Sequence, residues 1–117
     1  MSTMTYAMRD SATMLRDPFP LTNILNFSSD NRTRVMLFAI SLDLLPSEDS
    51  SAVTARAQDA QFMLHPLPVE YVGKVPGFAW LTEVVVILPG DLPAGQDVLV
   101  SVTYRAQTSN QVRFKIK

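Results

Sequence analysis

The chain has 117 residues, enough for one domain with a single sizeable core. Apolar residues make up 47% and charged residues 18%, at a formal net charge of −1, which excludes a disordered polymer and the basic field of a nucleic-acid binder. There is no cysteine, so disulfides, thiolate metal sites and thiol nucleophiles are excluded as well.

Residues 1–17 mix Met4, Tyr6, Met8, Met14 and Leu15 with Ser, Thr, Arg and Asp. Met4, Met8 and Leu15 share a face if this stretch forms a short helix. It lacks a basic region followed by a continuous apolar one, so it is not a signal peptide. We read it as an N-terminal extension or leader before a domain over residues 18–117. Asp17-Pro18-Phe19-Pro20 stops any helix, because two prolines fix φ and remove two donors. Thr22–Phe27 is expected to be a first, edge-like strand, and Ser28–Asn31 a turn.

Arg32–Leu45 is apolar on both faces, with Val35, Leu37 and Ala39 alternating with Met36, Phe38 and Ile40. That fits a central strand covered on both sides, with a helix as the competing reading because Leu, Met and Ala are helix formers. Pro46–Ser51 is a polar turn. Ala52–Ala60 alternates as a half-exposed strand, and Phe62–Leu64 and Leu67–Val72 give two short strands, or one strand broken at Pro66 and Pro68. Pro66 and Pro68 confine that stretch to a sheet edge or a bulge. Gly73–Trp80 turns at Pro76-Gly77. Thr82–Leu88 is a buried strand, and Pro89–Gly95 a rigid connection. Asp97–Arg105 alternates well, and Gln107–Asn110 turns the chain into Val112–Lys117. There, Val112, Phe114 and Ile116 alternate with Arg113, Lys115 and Lys117, the period of a strand with one buried face. Seven to nine short strands with frequent turn signals predict an all-β sandwich or barrel. No run of about 18 apolar residues exists, so membrane insertion is not expected.

From Val69 onward the chain resembles a known kind of module. Val69-Glu70-Tyr71-Val72-Gly73, Pro76-Gly77-Phe78, Glu83–Pro89, Leu92-Pro93-Ala94-Gly95 and Ser109-Asn110-Gln111-Val112 follow one another in order. This string is similar to the immunoglobulin-like modules found toward the C-termini of large secreted or surface proteins of soil bacteria. The resemblance implies an immunoglobulin-like two-sheet β-sandwich and a secreted or cell-surface location. It carries over no catalytic residue. Gly77, Pro89, Pro93, Gly95 and Asn110, which belong to the shared pattern, also have direct architectural readings as turn formers and strand stops.

Chemistry is thinly spread. His65 is the sole histidine and no Gly-x-Ser-x-Gly elbow surrounds any serine. Glu70 and Glu83 make a carboxylate pair only if they face each other across strands. Glu48-Asp49 lacks the Asp-x-Asp-x-Asp-Gly pattern of a calcium loop. Asn26-Phe27-Ser28 and Asn31-Arg32-Thr33 match the N-glycosylation pattern. Of the aromatics, most are expected in the core. Phe78 and Trp80 flank the Pro-Gly turn, where an exposed pair could stack on a sugar, the alternative being a Trp80 that plugs one end of the sandwich.

The strand pattern and the thin chemistry, together with what the resemblance implies, predict a non-catalytic extracellular structural or adhesion module without cofactor or metal. Its expected partners are neighbouring domains or further copies of itself, with no nucleic acid. Two alternatives stand beside it: a polysaccharide-binding module using Phe78 and Trp80, and a filament subunit that donates the strand of Thr22, Ile24, Leu25 and Phe27 to a neighbour's sheet edge.

Overall fold

β-Branched residues in alternation set the strands, and Pro, Gly, Asn and Asp interrupt them. The structure is a computed structural model, which describes residues 3–5 and 8–117. Its strands are β1 (Thr3–Met4), β2 (Arg9–Asp10), β3 (Arg34–Ile40), β4 (Val53–Gln58), β5 (Leu64–Leu67), β6 (Val69–Val75), β7 (Phe78–Ile87), β8 (Asp97–Tyr104), β9 (Gln107–Thr108) and β10 (Val112–Lys115). One 3-10 turn, Ser50–Ala52, precedes β4.

The strands form two sheets with antiparallel pairing throughout. In the first, β7 lies between β3 and β6, and β1 and β2 both pair with the far side of β3. In the second, β8 lies between β4 and β10, β9 continues the β10 row, and β5 forms the outer edge beyond β4. The chain changes sheets between β3 and β4, between β5 and β6, and between β7 and β8. This is an immunoglobulin-like two-sheet sandwich. Among the described residues ten strands appear rather than seven to nine because β1 with β2, and β9 with β10, are short pieces lying end to end along single rows.

Inward side chains come from every second position. Val35, Leu37 and Ala39 of β3 face Val84 and Val86 of β7, and Val98, Val100 and Val102 of β8 lie with Val53, Ala55 and Ala57 of β4. Val112, Phe114 and Ile116 are all sealed, as their alternation predicts. The core is aliphatic. Of the aromatics expected inside, only Phe19 and Phe114 are fully buried among the described residues, packed edge to face at 5.1 Å. Phe27, Phe62, Tyr71, Phe78 and Trp80 are exposed, because they sit on turns, strand ends and the outer sheet face. Tyr6 lies outside the described residues.

Two expectations change. The described N-terminal residues form no helix: Thr3–Met4 and Arg9–Asp10 pair with β3, so Met4 and Met8 enter the core while Leu15 stays exposed. Thr22–Phe27 is not a strand. Thr22 makes one bridge to Arg32, and the chain then folds back through a loop. The side chains of Asn23, Asn26 and Asp30 each accept a backbone N–H two residues ahead, from Leu25, Ser28 and Arg32 at 2.9–3.0 Å. These local bonds offer the backbone an alternative to a ladder, and here they win.

The prolines act as predicted: β5 and β6 are both outer strands, and β6 carries bulges after Val69 and Lys74. At one pole of the sandwich lie residues 11–33, the β4–β5 turn and the β7–β8 connection. The opposite pole holds residues 41–52, the β6–β7 turn and the β8–β10 connections.

Candidate functional site

At the second pole, β6 and β7 are joined by Pro76-Gly77. Gly77 has φ 83°, the value the third position of a type II turn requires after proline. The turn is tight enough to extend β7 back to Phe78, four residues before the predicted start. Phe78 and Trp80 are brought together, ring centroids 5.9 Å apart and planes at 88°, with Trp80 59% exposed. Trp80 therefore does not plug the sandwich. The perpendicular rings offer one stacking face at a time rather than a flat platform.

Tyr71 lies on the outer face of the first sheet, its ring folded over Gly73, where a Cβ would clash with the Tyr71 hydroxyl. Gly95 has φ 75° and donates its N–H to Ile116 O at 2.9 Å. Pro89 O accepts the Leu92 N–H, and Pro93 follows the buried Leu92. Asn110 does more than turn the chain: its side chain accepts the Met4 N–H at 2.7 Å and donates to Met4 O at 3.3 Å, so it imitates a strand partner for β1.

Several ionisable groups are spent on architecture. His65 Nε2 meets Asp59 Oδ2 at 2.8 Å and Nδ1 meets Asp91 Oδ2 at 3.3 Å. The hydrogen bond with Asp59 raises the imidazole's pKa above its ordinary 6.5 and lowers that of the carboxyl. Asp59 Oδ1 also caps the Gln61 and Met63 N–H groups, so His65 pins the β4–β5 turn to the β7–β8 connection. Both ring nitrogens thus face a carboxylate.

Glu70 and Glu83 do not pair. Glu70 sits in the first bulge of β6 and accepts from Arg34 Nε at 3.1 Å, whereas Glu83 is registered with Gly73 and Phe38 in mid-sheet. Glu48 accepts from the Tyr104 hydroxyl and the Leu45 N–H, and Asp49 caps the 3-10 turn; these bonds hold both carboxyls below their usual range. Among the described residues, no group of three His, Cys, Asp or Glu could hold a metal ion, and no helix is long and apolar enough to cross a membrane. Asn26 and Thr33 are buried, so each N-glycosylation pattern has one member sealed.

At the first pole stands what the sequence pattern missed. Arg34 is buried at the start of β3 and donates through Nη1 to Asp30 Oδ1 at 2.8 Å and Ser28 Oγ at 2.7 Å. The guanidinium holds the Asp30 carboxyl far below the usual carboxylate range. Asn31 Nδ2 adds a bond to Asn26 O at 2.8 Å. The loop is thus tied down on its inner side, and its outer side presents Ile24 at 85% and Phe27 at 94% exposure, with Leu25 between them. A cavity of about 330 Å³ separates it from Ser11 and Ala12 of the neighbouring loop. The residues predicted to donate a strand are held by their own domain, with their apolar side chains outward. The signal for this was available: Asn or Asp recurs at 23, 26, 30 and 31.

Compared with known proteins, the chain matches no family model, no curated protein and no solved structure.

Proposed function

We propose that this chain is a non-catalytic extracellular module that associates with a surface. It serves as a rigid spacer or adhesion domain rather than a reaction centre. One observation carries the reading: large apolar side chains stand in solvent at both poles of a firmly packed scaffold, while His65 and Arg34 are consumed in internal ion pairs. Large apolar groups held out by an ordered loop mark interaction sites. The resemblance of Val69–Lys117 to modules of secreted soil-bacterial proteins supports the same reading and the location it implies. Incubation with a broad panel of hydrolase and transferase substrates is expected to give no turnover. A specific turnover abolished by one substitution would overturn the proposal.

The exposed Phe78–Trp80 pair favours a second reading, polysaccharide binding through a single stacked ring. Glycan-array binding lost in Trp80→Ala, with the fold intact, is its expected signature; a blank array removes it.

A further inference from the structure

Resting on the polysaccharide-binding reading above, we propose that the second pole holds a two-ring site for uncharged sugars. One ring stacks on the Phe78–Trp80 pair, and the next enters a pocket between the end of β3 and the β8–β9 turn. That pocket has a volume of about 220 Å³ and is lined by Ser41, Asp43, Tyr104, Arg105 and Gln107. Pockets for drug-sized ligands run to about 300–1,000 Å³, so this one has room for a single ring. The β3–β7 ladder ends with Ile40 opposite Leu81. Ser41 follows the one and Trp80 precedes the other, each a single Cα step of about 3.8 Å beyond that pair. The pocket therefore starts beside the exposed indole.

The lining suits hydroxyl groups rather than an ion, because its charges are already paired. Asp43 Oδ1 accepts from Lys74 Nζ, and Arg105 Nη2 lies 3.6 Å from Glu48 Oε2. An anion would have to displace Glu48 from Arg105, and a cation would have to displace Lys74 from Asp43. The guanidinium is also held in place: its Nε donates to the Tyr104 hydroxyl at 2.9 Å, which donates to Glu48 Oε1 at 2.6 Å. Arg105 Nη1, Asp43 Oδ2, the Ser41 hydroxyl and the Gln107 amide have no partner among the described residues. The first donates, the second accepts, and the other two do both. Neighbouring hydroxyls on one sugar ring need that mixture, since each hydroxyl both donates and accepts. The C–H face of the adjoining ring is apolar, with its hydrogens turned to the electron-rich face of an indole.

The test is titration calorimetry of the full chain with β-1,4-linked di- and hexasaccharides of glucose, mannose and N-acetylglucosamine, and with digalacturonate as the anionic probe. One neutral series is expected to bind, its disaccharide and hexasaccharide within about tenfold of each other, because rings beyond the second touch nothing. The double variant Ser41→Gly, Gln107→Ala should weaken that binding about tenfold or more. Both side chains are exposed and glycine suits the Ser41 φ of 63°, so this variant keeps its fold. Binding lost in Trp80→Ala but untouched in the double variant would overturn the pocket and leave the polysaccharide reading standing. A preference for digalacturonate over every neutral sugar would overturn the uncharged ligand, and a hexasaccharide held more than about tenfold tighter would overturn the two-ring limit. No heat with any probe would overturn the pocket and the polysaccharide reading together, and leave the non-catalytic one in place.

Discussion

Replacing Phe19 with alanine tests whether the N-terminal segment is integral to the domain. Phe19 is fully buried, packs edge to face on Phe114, and its N–H and C=O bond Lys115 O and the Lys117 N–H at 2.8 and 2.9 Å. Truncating a sealed phenylalanine costs about 3–5 kcal/mol, the edge-to-face contact contributing about 0.5–1.5 of that. A domain of this size holds only about 5–15 kcal/mol in all. Its unfolding entropy is about 0.25 kcal/mol/K, so a loss of about 4 kcal/mol lowers Tm by about 16 °C. Chemical denaturation and calorimetry of Phe19→Ala, Phe114→Ala and the double variant form a cycle. The double variant should fall short of additivity by about 0.5–1.5 kcal/mol. A loss below about 1 kcal/mol for Phe19→Ala would refute the reasoning, because the segment would then not be docked.

Three further outcomes are expected. Arg105 and Ala106 hold φ of 51° and 63° in the two-residue turn between β8 and β9, so Ala106→Gly should stabilise the fold by about 0.5–1 kcal/mol in denaturant titration. Asn110→Ala removes both bonds to Met4; we expect a loss of about 1–2 kcal/mol and faster amide exchange over residues 3–5 by mass spectrometry. His65 has a folded pKa raised above 6.5, so its contribution is complete below that value and fades as pH rises through the folded pKa. Asp59, with a lowered pKa, contributes above its ordinary 3.8 and loses that contribution as pH falls through its folded value. Stability should therefore drop as pH rises above about 6.5 and through the folded histidine pKa, and His65→Asn should flatten that drop; an unchanged slope would count against the ion pair.

The strands that carry a full period of two were legible. Val112–Ile116 alternates cleanly because one face meets the other sheet and one meets water, and Val98, Val100 and Val102 were legible as the inward set of β8 although Ser101 on its other face is also buried. The uninterrupted apolar run Val84–Leu88 was legible as a strand for a different reason: Val85, on the outer face, is itself covered. The N-terminal rows were not legible. β1 and β2 are two residues each, shorter than any period, and depend on β3 for partners far along the chain. The 22–27 loop was misread because Ile24, Leu25 and Phe27 have strand-like composition, while the side-chain caps that shape the loop act between neighbours. The turn placing Phe78 beside Trp80 was legible from Pro76-Gly77. The His65 clamp was not, since Asp59 and Asp91 lie on different loops.

The parallel contact of Phe19 with Ile116 has a mechanical consequence. Tension drawn through the two ends of the molecule would slide that junction along its length, so its bonds would have to rupture together rather than peel in turn. Single-molecule stretching should show one high-force event, and Phe19→Ala should lower it; a force trace unaffected by that substitution would show that the load travels elsewhere.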